Sequence, residues 1–600
     1  MMFARTLFIV GMLTVAAGWN CGATVYYVGG NSNGPTWFSG TWTNLQAAFS
    51  AAVAGDEVRI SGDVVRPAGE IGIRDLKLSN SGAEGARIVV SGGWDASFVT
   101  APGAVARSVI NAMMDGTANN SNRCLTVSGN YVTVRNVTLT GGDDLWGTTL
   151  GANFVSGNYC VFSRVTVTNN NTDSINEGRT EGGLRWNGDS GVIEHCLVGA
   201  NRGGTCGGLA METAYYTVVA NCEIVGNWCS SFGAAGLRMA HDSGSNQPTV
   251  VFGSRIAMNY HLGTAVLNAY GDSSNGGIGY TGPNDQTLPG NCLVNCTVAD
   301  NGRCIDLGLA EGGSSQAQYF LNSIIANNNG KNGIESYCYG ANRDISPNDW
   351  NWNTSTWENP SVTGHRGWIG FLSTCVNNDM GLGFGHYANQ ADWGPPNTNT
   401  SPNSNILADP KFVNAPRFRD GATANGSTTQ IYVSSNLAYA VNDIVEINRD
   451  GVPRKITGTG IDGTGSYIII DTALGSSSAR YTGPATTTFI ENWGPLKSAK
   501  DLSMRKYNLD RTSPCVDSGA VAVGSGFRYV DVNQNGSYDW GLDMIVALDG
   551  YTPVSMNTPN PTYYDLVYTT DLAGNARVKN NKIDRGAYEF RVGGMVITLR

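Results

Sequence analysis

Four residues between positions 185 and 241 have the types and spacing for polysaccharide chemistry. Leu184-Arg185-Trp186, Leu209-Ala210-Met211 and Leu237-Arg238-Met239 are short runs in which apolar residues flank one variable position. Strand side chains alternate between faces, so Arg185 and Arg238 point outward if the leucines point inward. Glu212 keeps the outward parity, and His241 follows the end of its run. Eliminative cleavage of a uronate needs a cation to neutralise the carboxylate and a base to take the α-proton. Glycoside hydrolysis needs two carboxyl groups about 5–5.5 Å or about 6.5–9.5 Å apart. The face of the expected outward column Arg185, Ala210, Arg238, Leu267, Gly308, Glu335, with Asn187 and Glu212 two residues on and Asp189, His241, Asp242, Asp272 and Glu311 past the strand ends, could supply either set. The same residues would equally serve as the solvated outside of a solenoid. Asp143-Asp144, after Gly141-Gly142, lacks a nearby Gly-His-Gly and reads as a turn.

Two further groups could bind ligands. Trp350, Trp352, Trp357 and Trp393 fall in a segment without helical or strand periodicity, near His365 and His386. Flat aromatic faces stack on sugar rings, so these tryptophans are a candidate carbohydrate-binding platform; packing onto a solenoid flank is the alternative. Asp531, Asn533, Asn535, Ser537 and Asp539, with Gly536, place oxygen ligands as in the head of an EF-hand-type calcium loop. Position twelve of that pattern is Leu542, and the adjacent Asp543 would substitute. Calcium there would be structural, pinning a loop, and a polar Asn/Gly turn is the alternative. No zinc spacing, nucleotide-binding motif or Ser-His-Asp triad is present.

The elements that must carry these groups follow from composition. The chain has 600 residues, with 79 Gly, 20 Pro and only 14% charged residues. High Gly with few Glu, Lys and Arg disfavours long surface helices and favours short strands between tight turns. Collagen is excluded by the lack of a Gly-X-Y register, and wholesale disorder by 41% hydrophobic residues. Lys and Arg number 38 against 48 Asp and Glu, a net charge of −10, which argues against a nucleic-acid partner.

Between residues 130 and 340 the sequence repeats itself. Cys196, Cys222, Ser254, Cys296 and Ser323 each lie within a β-rich run and are each followed, five residues on, by Asn: Asn201, Asn227, Asn259, Asn301 and Asn328. A second column of apolar residues, Leu184, Leu209, Leu237, Val266, Leu307 and Ile334, recurs at intervals of 25, 28, 29, 41 and 27. Short β runs at this period describe a solenoid whose like positions stack about 4.8 Å apart. The Cys/Ser column is then a buried ladder of small side chains, with reduced packing thiols at Cys196, Cys222 and Cys296; the thirteen Cys of an exported chain leave a disulfide open as the alternative, Cys206 and Cys304 in neighbouring columns included. The Asn column is expected at the turns, where left-handed geometry and side-chain hydrogen bonds favour it.

Several segments resemble a known family. Tyr26-Tyr27-Val28, Asn44-Leu45-Gln46-Ala47-Ala48, Gly55-Asp56-Glu57-Val58 and Val89-Val90-Ser91-Gly92-Gly93-Trp94-Asp95 resemble the opening of right-handed parallel β-helix proteins of the pectate-lyase-like superfamily. Asp409-Pro410-Lys411-Phe412-Val413 and Ser513-Pro514-Cys515-Val516-Asp517-Ser518-Gly519 resemble their exit coils. Asp571-Leu572-Ala573-Gly574-Asn575 and Asp584-Arg585-Gly586-Ala587-Tyr588-Glu589 resemble their closing segment. The pattern is most similar to bacterial secreted and surface proteins with polymorphic outer-membrane-protein-type repeats, and it covers most of residues 24–417 and 497–592. The resemblance implies an all-β, right-handed parallel β-helix (solenoid) with an N-terminal capping helix. It leaves activity open, because this fold hosts many functions.

The expected organisation is a signal peptide over 1–23, a β-helix over 24–417 with a Trp-rich insertion at 340–405, a small β insertion domain over 418–496, and C-terminal coils over 497–600. Arg5 and the apolar run Leu7 to Ala17 carry the signal reading, and no later stretch is long and apolar enough to cross a membrane. The expected protein is secreted, extracellular or at the cell surface, with the periplasm as a further location. It binds, and on one reading cleaves, a polysaccharide or surface glycan along its solenoid face. The alternative is a non-enzymatic surface protein of the adhesin type or a matrix structural protein. Oligomeric state is left open.

Overall fold

The computed structural model describes, with short interruptions, residues 23–172, 181–240, 249–261, 274–281, 292–301, 305–307, 314–326, 338–340, 350–351, 356–357, 366–376, 406–412, 418–474, 489–494, 507–519, 527–530, 544–548, 571–576 and 584–590. Its opening helix spans Trp42–Ala51. The Thr41 hydroxyl caps it by accepting from the Asn44 amide at 3.3 Å. Trp42, Leu45, Ala48 and Phe49, spaced at helical intervals, are buried. The Trp42 indole donates to the Ile73 carbonyl at 2.9 Å, tying the cap to the end of the solenoid.

Beyond the cap, the described strands form a right-handed parallel β-helix of three sheets, with twelve, eleven and nine strands. From Glu57 to Gly340 each coil gives one strand to each sheet. In one coil, Val192–Glu194 lies in the first sheet, Leu197–Gly199 in the second and Leu209–Glu212 in the third. The next supplies Val218–Ala220, Glu223–Val225 and Leu237–Ala240 in the same order, each pairing in parallel with its predecessor. Alternate residues, including Leu184, Trp186, Ile193, Val198, Leu209 and Met211, enter one continuous core. Each fully buried apolar side chain contributes roughly 1.5–3 kcal/mol.

Both repeat columns are buried, but the corners are made by their neighbours. The Cys196 amide donates to Cys222 Sγ at 3.4 Å, the Cys222 amide to Ser254 Oγ at 3.0 Å, and the Cys296 amide to Ser323 Oγ at 3.1 Å. Cys196, Cys222 and Cys296 are buried free thiols in this ladder. The Asn side chains point inward and form a second ladder. Nδ2 of Asn170, Asn201, Asn227 and Asn259 each donates to Oδ1 of the next coil's Asn at 2.9–3.0 Å. Left-handed geometry belongs instead to the residue before: Asn169, Ala200, Gly226 and Met258 have φ of 53–65°. A second left-handed column, Asn136, Arg164, His195, Asn221, Gly253, Asn295 and Asn322, with φ of 48–55°, turns the chain from the first sheet to the second. Asn328 lies outside the described residues.

The third sheet corrects the expected apolar column. Leu184, Leu209 and Leu237 are in register, but the next partners are Ile278, Ile305 and Cys338. Val266 and Ile334 lie outside the described residues, and Leu307 pairs with Gly340. The row in register with Arg238 therefore continues through Gly279, Asp306 and Tyr339, not Leu267, Gly308 and Glu335. The long interval could be placed on either side of an apolar pair, and backbone pairing decides which. Asp143–Asp144, expected as a turn, pairs antiparallel with Ser121–Asn122.

A six-stranded antiparallel sheet, from Phe418–Gly421 to Phe489–Gly494, forms the small β insertion domain. It has its own core of Val445, Ile447, Ile456, Ile468, Ile470 and Ile490. Residues 507–519 and 584–590 form a C-terminal strap against the outward side of the second sheet. The Ala587 amide donates to Thr297 Oγ1 at 2.9 Å and the Gly586 amide to the Asn322 carbonyl at 2.7 Å. Gly586 is required here, because a Cβ would sit 2.7 Å from Ile324 Cδ1 at a φ of 94°.

Candidate functional site

Three strands of the third sheet position the candidate groups. Arg185 pairs with Ala210 and Ala210 with Arg238, so the two arginines stand two strand spacings apart, roughly 9.6 Å. The small Ala210 between them lets long side chains lean together. Glu212, at the end of the middle strand, bridges them: its Oε2 accepts from Arg185 Nη2 and its Oε1 from Arg238 Nη1. Arg185 Nε also donates to Asn187 Oδ1 at 3.2 Å, and its guanidinium lies 6.0 Å from the centre of the Phe154 ring. The three side chains are only partly covered, with 12% of Arg185, 20% of Glu212 and 24% of Arg238 exposed.

A fourth member, Glu181, escaped the sequence reading. Its backbone bridges to Cys206 just before the Leu184–Trp186 strand. Its carboxylate lies 3.5 Å from Arg185 Nη1 and 3.7 Å from Arg238 Nη1, and the side chain is 2% exposed. Gly151 makes room for it: φ there is 70°, and a Cβ would sit 2.8 Å from the Glu181 carbonyl oxygen. Parity could have found Glu181, which stands four positions before Arg185 on the same side of the chain. The Gly182-Gly183 pair disguises it as turn sequence.

The cluster holds two cations and two carboxylates, but the carboxylates differ. Burial pushes Glu181 up to about 7; Arg185 opposes that shift, Glu212 adds to it, and Arg238 opposes it. One group that exchanges a proton near neutrality thus sits against two permanent cations at a partly open face. Burial, with the Glu181 charge adding to it, pushes the neighbouring Cys206 thiol to about 12, so it is no nucleophile at neutral pH.

Glu181 also links stability to pH. Its folded pKa of about 7 lies above the ordinary value of 4.5, so the folded chain holds the extra proton between the two. Its contribution is present below about 4.5 and is lost as pH rises through 7. Glu181→Gln mimics the neutral form. It is expected to raise stability at pH 8 by about 3 kcal/mol and to leave it nearly unchanged at pH 4.5, read from urea midpoints. Equal shifts at both pH values would contradict this assignment.

The other predicted residues are not brought to this cluster by any described contact. His241, Trp352 and Trp393 lie outside the described residues, as do Asp531, Asn533, Asn535, Ser537, Asp539 and Asp543 and the segment 1–22. Trp350–Asn351 and Thr356–Trp357 form a short antiparallel pair with Trp350 opposite Trp357. The strands on either side of residues 531–543 also pair, Val530 with Met544. Among the described residues, no group of three or more His, Cys, Asp or Glu side chains could hold a metal ion. Among them, no helix is long and apolar enough to cross a membrane.

No family model matches the sequence, and neither does any curated protein. Among solved structures, the chain is similar to pectate lyase Pel9A, with 17% identity and a TM-score of 0.34 over 55% of this chain and 82% of that one. It is also similar to an alginate lyase from Paenibacillus sp. str. FPU-7, with 12% identity and a TM-score of 0.25 over 51% of this chain and 95% of that one. A third is the PL6 family polysaccharide lyase Pedsa3628 from Pseudopedobacter saltans, with 9% identity and a TM-score of 0.29 over 61% of this chain and 91% of that one. The parallel β-helix follows from the strand pairings above and not from these likenesses.

Proposed function

We propose that this chain is a secreted β-helix protein that binds an extracellular polysaccharide along the outward face of its third sheet. Arg185, Glu212, Arg238 and Glu181 form the centre of that face. One observation carries the reading: a buried carboxyl that titrates near neutrality lies against two arginines whose outer sides reach solvent. Guanidinium groups bind carboxylates and hydroxyls directionally, and a carboxyl of this pKa both donates and accepts protons at neutral pH. The same groups are those that cleavage would use, two cations to neutralise a carboxylate and one group to move a proton. The tryptophans at 350, 352, 357 and 393 belong to this reading as a second sugar-contacting region, and calcium at 531–543 as a structural ion.

The test is incubation of the full chain with a panel of acidic and neutral polysaccharides. Retarded migration in a glycan-containing gel is the expected result. New reducing ends or unsaturated-uronate absorbance would add cleavage. Retardation without either would make the protein a surface or matrix binder of the adhesin type. No retardation with any polysaccharide would overturn the proposal.

A further inference from the structure

The C-terminal strap carries a feature that glycan binding does not use. On the outward side of the second sheet, Cys375 follows Ile324 in register, in the row that the strap covers. Cys515, in the strap, comes down onto the same row. The two cysteines are both fully buried and share one small cluster with Ile324, Ala326 and Leu509. Both thiols are free in the structure, and Cys375 Sγ donates to the Ala408 carbonyl at 3.5 Å. The Arg585 amide donates to the Cys515 carbonyl at 3.0 Å, and the Cys515 amide to Ser513 Oγ at 3.1 Å, so the strap backbone is held on both sides of the thiol. We propose that Cys375 and Cys515 are a disulfide site that staples the strap across the second sheet.

The pair differs from Cys196 and Cys222, where the Cys196 amide meets Cys222 Sγ. Those lie in one ladder on neighbouring coils, where Ser254 and Ser323 serve equally well, so the position needs a hydrogen-bonding group and not sulfur chemistry. Cys375 and Cys515 approach from two opposed segments, 140 positions apart in the chain. The chain between them includes the six-stranded insertion sheet. Closing so long a loop costs entropy, and a cross-link removes that cost from the unfolded chain. Two S–H bonds break and one S–S bond forms. Two electrons pass to a disulfide oxidant, which is released as two thiols carrying the two protons. Burial raises the Cys515 thiol well above its usual range, so the exchange takes place before the strap closes.

The full chain, unfolded and refolded in an oxidised/reduced glutathione mixture, would be alkylated in denaturant, digested without reductant and mapped by mass spectrometry. The expected result is a linked pair of peptides carrying Cys375 and Cys515, with Cys196 and Cys222 alkylated. Reduction should lower the Tm by about 5 °C. Cys375→Ser and Cys515→Ser should have the Tm of the reduced protein and lose their response to reductant. Full alkylation of both cysteines in the oxidised wild type, or linkage of either to another cysteine, would overturn the proposal. The wild-type map decides this even if the variants fail to fold.

Discussion

Replacing Asn227 with alanine is expected to cost the fold about 3–5 kcal/mol, a large effect for a small polar side chain. Asn227 Nδ2 donates to the Val198 carbonyl at 2.9 Å and to Asn259 Oδ1 at 3.0 Å. Its Oδ1 accepts from the Asn201 amide at 3.1 Å and from Asn201 Nδ2 at 3.0 Å. Both hydrogens and both lone pairs are thereby used in a place closed to water. Truncation orphans two donors on one side and removes two donations on the other, and no solvent can replace them. Asn227→Asp should cost more at pH 8 than at pH 5, because only the protonated acid can donate. Urea midpoints read both effects. A loss below about 1 kcal/mol for alanine would mean that the ladder is ornament to the core, not part of it.

Glu212→Ala should have the second-largest effect. Glu212 is the direct partner of Arg185 and Arg238, and Glu181 is the other carboxylate within 4 Å of both. Removing Glu212 leaves two largely covered guanidinium groups sharing one carboxylate, a loss of about 3 kcal/mol. It also removes the like charge that helps to raise Glu181, so the Glu181 pKa should fall from about 7. The pH window over which stability declines should narrow with it. Unchanged stability together with an unchanged pH profile would show that the bridge seen here has no energetic weight.

Much of this was legible in the sequence, for physical reasons that differ by residue. The Cys/Ser and Asn columns were visible because a buried ladder admits few side chains, so the same types recur at the coil period. Arg185, Glu212 and Arg238 were placed on one face by strand parity alone, and hydrogen bonding now joins them. Glu181 was missed because it precedes its strand, where Gly182-Gly183 signals a turn. The third-sheet register failed after Leu237 because an insertion shifts spacing without changing local pattern; Ile278, not Val266, takes the next place. The left-handed corners went to the residues before each Asn, since an Asn committed to an inward ladder is not also needed at the corner.

Glycan binding by the double variant Arg185→Ala/Arg238→Ala tests the central claim most directly. Whichever polysaccharide retards the wild type would be titrated against both proteins, with melting curves recorded to establish that the variant is folded. Loss of both cations should weaken binding at least about tenfold, the equivalent of about 1.4 kcal/mol. Binding by the folded variant at wild-type strength would contradict the account and move the ligand to another face of the solenoid.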